Sequence, residues 1–106
     1  MVKRGDIWLV NLDPTVGSEI RTSRPCVIVS PPEMNEHLRT VIVAPMTTGS
    51  QPAPFRVEIS HRGKRGVILL DQVRTVDKTR LVKRSGAASA GTLATALCTL
   101  RELFAE

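Results

Sequence analysis

Between Gly17 and Pro25 the chain places a carboxylate, Glu19, and two guanidiniums, Arg21 and Arg24, among the hydroxyls of Ser18, Thr22 and Ser23. These residue types can open a ribonucleotide linkage without a metal ion. That reaction needs a base for the 2′-OH proton, a cation for the phosphorane and a donor for the leaving 5′-oxygen. A carboxylate, an arginine and a hydroxyl meet the three needs. The same residues also describe an ordinary solvated loop, since Glu and Arg are common on surfaces. Arg24 is the more informative arginine. It directly precedes Pro25 and an apolar run, and a residue before proline is held extended, so its planar fork is anchored where a strand begins and suits bidentate phosphate contact. Its competing role is a cross-sheet pair with a carboxylate.

A second hydroxyl cluster, Thr47-Thr48-Gly49-Ser50, ends another apolar run. It can present a donor closely to a phosphate, and it is equally good turn chemistry. Between residues 56 and 84 nine cations, among them Arg56 and Arg74, face only Glu58, Asp71 and Asp77, a surface able to follow a phosphate backbone. Aromatic rings are scarce: Trp8, Phe55 and Phe104 are all there are, and tyrosine is absent. Stacking platforms of the usual single-strand binders are therefore not expected, and base reading falls to loop hydrogen bonds and pocket shape. His37 and His61 lie in polar stretches with no visible orienting partner and read as solvated surface histidines, which disfavours a histidine-pair mechanism. Cys26 and Cys98 lie in apolar stretches without CxxC spacing and read as buried thiols; no metal-ligand cluster is visible, and no cofactor is expected.

The elements that must position these residues follow from periodicity. Asp6–Leu12 is a short β-branched and aromatic strand stopped by Asp13-Pro14, and Thr15 to Ser23 then reads as a loop of about nine residues. Cys26–Val29 and Thr40–Ala44 are continuous apolar runs, as in strands buried on both faces, the first closed by Pro31-Pro32 and the second interrupted by Pro45 near its end. Glu33 to Arg39 leaves room for one short helical turn. Phe55–Ile59 alternates as a half-exposed strand, and Gly66–Val76 reads as one long strand bent near Asp71-Gln72. Ser89 is the expected N-cap of a helix whose apolar stripe is Leu93, Leu97, Leu100 and Phe104. The fold class is α+β, mainly β: an SH3-like small barrel of about five antiparallel strands with a C-terminal helix.

At 106 residues the chain has room for one core, so residues 1–106 are expected to form a single domain. Hydrophobic residues at 42% and charged residues at 24% exclude a mainly disordered chain. A net charge of +5 and a pI near 10.0 favour polyanion partners. There is no basic-then-apolar leader and no apolar run of bilayer length, so the expected location is cytoplasmic.

Several motifs in series resemble the MazF/PemK family of toxin ribonucleases: Arg4-Gly5-Asp6-Ile7-Trp8-Leu9-Val10, Leu12-Asp13-Pro14, Gly17-Ser18-Glu19, Arg24-Pro25, and Ile68 through Lys78. The resemblance runs in the family's order to about Arg80. It implies an SH3-like barrel, a homodimer, and metal-independent cleavage of single-stranded RNA to a 2′,3′-cyclic phosphate and a 5′-hydroxyl. It also implies a cognate antitoxin whose acidic segment blocks the RNA groove. By position, Arg24 matches the catalytic arginine, Thr47 the threonine after the third strand, and Glu19 the acidic loop residue, which is the candidate base. Arg24 then stabilises the phosphorane, and Thr47 positions the scissile phosphate. Ser18, Arg21, Thr48, Arg56 and Arg74 are the expected RNA contacts. Where PemK-like members carry a first-loop histidine and a fifth-strand arginine, this chain has Ser18 and Leu69, which places it nearer the MazF branch, with Asp71 as a structural or secondary contact. Two other classes fit a basic barrel: a non-catalytic nucleic-acid binder, and a gyrase poison of the CcdB type. Loss of RNA cleavage on replacing Arg24 separates an enzyme from the first, and a supercoiling assay separates it from the second.

Overall fold

A computed structural model describes residues 1–13, 17 and 23–106. Among the described residues seven strands and two helices follow one another: β1 (Asp6–Asn11), β2 (Ser23–Ile28), α1 (Pro32–His37), β3 (Thr40–Thr48), β4 (Arg56–His61), β5 (Lys64–Leu69), β6 (Arg74–Asp77), β7 (Leu81–Ala87) and α2 (Ala90–Leu103). All pairings are antiparallel. The hydrogen-bonded order is β4-β5-β3-β2-β1-β7, with β6 on β3.

The mainly β class with a C-terminal helix agrees with the sequence, and the strand count corrects it from five to seven. The single bent strand expected over Gly66–Val76 is two, split by a 3-10 turn at Leu70–Gln72: β5 pairs with β4 and with the end of β3, and β6 leaves β4 and pairs with the beginning of β3. The other addition is β7. Its adjacent Lys83 and Arg84 and its Gly86 hide any alternation, and register shifts along β1 scramble what remains. Pro45 does not end its strand. It lacks an N–H to give a ladder, and it sits where β3 passes from pairing with β2 to pairing with β5.

Curling of the sheet lets the central strands bury both faces, which explains their unbroken apolar runs. Val27, Val29, Ala44 and Met46 enter one core cluster with Ile7, Ile59, Ile68 and Leu70. Their neighbours Cys26, Ile28, Val41 and Val43 enter a second cluster with Val10, Leu12 and Val76. The first cluster is closed by α2 through Ala96, Leu97 and Leu100, each large side chain so covered contributing about 1.5–3 kcal/mol. Ser89 caps that helix as expected, its Oγ accepting from the Thr92 N–H at 3.1 Å. Phe104 departs from the expected stripe: it lies past the end of α2 and is 73% exposed. Gly5, at φ +90°, gives the helix its seat, since a Cβ there would stand 2.9 Å from Leu93 Cδ2. No helix among the described residues is long and apolar enough to cross a membrane.

Candidate functional site

The site is best built from the β2–β3 ladder, whose register pairs Cys26 with Pro45, Val27 with Ala44 and Ile28 with Val43. Just past the end of that ladder, where β3 turns to β5, lie Arg24 on β2 and Thr47 on β3, although 22 residues separate them in sequence. Both line one cavity of about 310 Å3. Its floor is apolar, from Leu9, Pro25, Met46 and Ile59, and its rim carries Thr48, the adjoining ends of β4 and β5, and Lys83 and Ser85 from the middle of β7. Thr47 Oγ1 makes a long, local bond of 3.3 Å to the Thr48 carbonyl and can turn to another acceptor. Gly66 makes this corner possible. A Cβ on it would stand 2.4 Å from the Thr47 carbonyl oxygen, so no other residue lets β5 lie so close.

Arg24 Nε is buried, and no described residue accepts a hydrogen bond from it. A buried charged donor without a partner costs on the order of 1–3 kcal/mol or more. Of the remaining expected residues, Thr48 joins Arg24 and Thr47 in the cavity. Ser18, Glu19 and Arg21 lie outside the described residues. Arg56 and Arg74 are placed elsewhere. Arg56 donates to both Asp71 oxygens, at 3.2 and 3.0 Å, and that carboxylate pushes its guanidinium pKa further up. Asp71 thereby has a structural task. Arg74 donates to the Leu12 carbonyl at 3.2 Å and lines a separate groove beside α2.

The basic run from 56 to 84 is thus sorted by its partners. Arg65 pairs with Glu58 at 2.8 Å and Arg84 with buried Asp6 at 3.3 Å. Lys78 donates to the Asn35 carbonyl at 2.5 Å, and Arg80 to the Asn11 carbonyl at 3.2 Å. Among the described residues Arg62, Lys64 and Lys83 pair with no carboxylate, and all three line the cavity with Arg24. No Asp or Glu among the described residues lines it. The cavity is therefore a cationic cup over an apolar floor, suited to a ligand with several anionic groups.

His61 corrects the expectation from sequence. Its Nε2 lies 3.0 Å from Ser85 Oγ, it lines the cavity, and burial followed by the charge of Arg62 lowers its pKa from 6.5. Its partner comes from β7, 24 residues on, so no local pattern could have announced it. His37 remains the solvated residue expected, with the Glu36 carboxylate at 4.0 Å. Cysteine is corrected at one position: Cys26 is buried, its pKa pushed up to about 12 by burial, but Cys98 is exposed. Among the described residues no group of three or more His, Cys, Asp or Glu is arranged to hold a metal ion.

A family model described as the PemK-like, MazF-like toxin of type II toxin-antitoxin systems matches residues 3–104. Endoribonuclease MazF of Staphylococcus epidermidis is 43% identical over 90 residues, which cover 79% of this chain and 75% of that protein. Endoribonuclease PemK of Escherichia coli is 44% identical over 89 residues, covering 78% and 67% respectively. The crystal structure of MazF (form I) from Deinococcus radiodurans superposes with a TM-score of 0.86 at 28% identity, covering 99% of this chain and 97% of that one. A MazE–MazF structure (form II) from the same organism gives a TM-score of 0.79 at 25% identity, covering 98% and 95%.

Proposed function

From the premise that this chain belongs to the PemK-like, MazF-like toxins of type II toxin-antitoxin systems, we propose that it is an endoribonuclease that cuts single-stranded RNA in the Arg24–Thr47 cavity. The observation that carries this reading is Arg24, which lines a cup of cations without carboxylates among the described residues and whose Nε has no acceptor among them.

Glu19, five residues before Arg24 in the chain, takes the 2′-OH proton. The oxygen so freed attacks the adjacent phosphorus, the bond from phosphorus to the 5′-oxygen breaks, and that oxygen takes a proton from water. The products are a 2′,3′-cyclic phosphate and a 5′-hydroxyl. Arg24 stabilises the phosphorane rather than supplying the proton, because a guanidinium remains charged throughout the accessible pH range. Thr47 fixes the scissile phosphate, and Arg62, Lys64 and Lys83 hold the phosphates on either side. The partner in the cell is an antitoxin, and charge complementarity favours an acidic segment laid across the same cations. The active species is a homodimer.

The decisive experiment incubates purified protein with single-stranded RNA in EDTA and analyses both ends of the products. Cyclic phosphates and 5′-hydroxyls are expected. Arg24→Ala should lower the rate by about 10²–10³-fold while RNA binding weakens only moderately. Cleavage that requires a divalent cation, or products with 5′-phosphates, would sink the mechanism.

A further inference from the structure

The strand order leaves β4 and β7 as its two ends, with no backbone ladder between them among the described residues. Side chains join this seam instead. His61 Nε2 meets Ser85 Oγ at 3.0 Å, and Arg62 Nη2 reaches the Ser85 carbonyl at 3.4 Å. Gly86 clears the space for the ring: a Cβ there would lie 3.0 Å from His61 Cε1. One ring nitrogen is fixed, one ring edge is fitted against backbone, and the side chain still borders the cavity.

That placement matters because rings are so few. Trp8 packs against the second core cluster, Phe55 lies beside Arg56 with its centroid 5.9 Å from the guanidinium carbon, and Phe104 is beyond α2. His61 is the one aromatic ring lining the cavity among the described residues. The floor around it, Leu9, Met46 and Ile59, is apolar, as a nucleobase requires, while the cations at the rim suit the flanking phosphates. A volume of about 310 Å3 matches the small end of ligand pockets, the scale of one nucleotide.

Building on the reading of this cavity as an RNA site, we propose that His61, oriented by Ser85 across the β4–β7 seam, stacks on one base of the bound RNA and sets the sequence preference there. Ser85 is the positioning residue and His61 the specificity residue. Burial and Arg62 keep the imidazole uncharged at neutral pH, so it offers a π-face rather than one more cation beside Arg24, Lys64 and Lys83.

The test measures binding, by fluorescence anisotropy, of four 2′-O-methyl homo-oligonucleotides (A, C, G and U), which cannot be cleaved. Wild type, His61→Ala, His61→Phe and Ser85→Ala are compared, with thermal melting as the check on folding. The wild type should prefer one base over the weakest by about tenfold, a spread that His61→Ala collapses and His61→Phe retains. Ser85→Ala should narrow it in part. Equal weakening of all four oligonucleotides in His61→Ala would leave His61 without a part in base preference and overturn the proposal, as would an unchanged spread or a wild type without preference. Cleavage of unmodified RNA by the wild type, run in parallel, decides the nuclease reading separately, because base preference in binding does not depend on cutting.

Discussion

Arg24 and His61 owe their chemistry to what surrounds them, one an unpartnered donor among the described residues and the other a ring drawn in from solvent. For His61 the direction of the pKa shift has a consequence for stability. The folded state favours the neutral ring, so the unfolded chain binds more protons as pH falls below 6.5, and stability declines from that pH down to the lowered folded-state value. A melting series from pH 7.5 to 5 should show the midpoint falling through this window, and His61→Phe should flatten that part of the curve. An identical slope in the variant would assign the loss to other groups. The cysteines give a second residue-scale expectation. Cys26, buried and with its pKa pushed up to about 12, should resist alkylation in the native protein, whereas exposed Cys98 should react. One thiol per chain should titrate before unfolding and two after; two reactive thiols in the native state would contradict the burial of Cys26.

At the scale of elements, the site depends on how closely β5 approaches β3. Gly66→Ala puts a methyl carbon where only 2.4 Å separates it from the Thr47 carbonyl, so the strands must part at the residue proposed to hold the phosphate. Cleavage should fall by about tenfold to a hundredfold, as misplacement of a positioned group by about 1 Å can cost that much. Gly91→Ala in α2 is the control, since nothing lies within 4 Å of a Cβ there. Full activity in Gly66→Ala, with the fold intact, would remove Thr47 from the proposed mechanism. The 3-10 turn at Leu70–Gln72 acts on the same scale by splitting one apparent strand into two.

For the whole molecule, the net charge of +5 is unevenly distributed. Most cations between residues 56 and 84 are held by carboxylates or carbonyls, and the few left over gather at the cavity. Binding of a single-stranded oligonucleotide should therefore weaken with salt. Lys83→Ala should reduce the slope of log K against log[salt] by about 0.7, the value expected when one phosphate fewer is neutralised. Arg65→Ala, which removes a cation already paired with Glu58, should change the slope less. Equal changes in the two variants would mean that charge acts through the overall field rather than at the cavity.

Much of this was legible in one dimension. The unbroken apolar runs at Cys26–Val29 and Thr40–Ala44, the Ser89 cap and the C-terminal helix follow from side-chain period and backbone chemistry, which are local. Arg24 and Thr47 could be singled out in sequence by their positions beside buried runs and by the motifs that the family shares. The rest depends on distance through space. Opposite charges far apart in the chain had to meet before Arg56 and Arg84 could be told from Lys64 and Lys83, and β7 had to reach the far end of the sheet before His61 acquired Ser85. Local pattern determined which segments become strand or helix. Only the curling of the sheet decided which polar groups are left without partners among the described residues and which cations gather at the cavity.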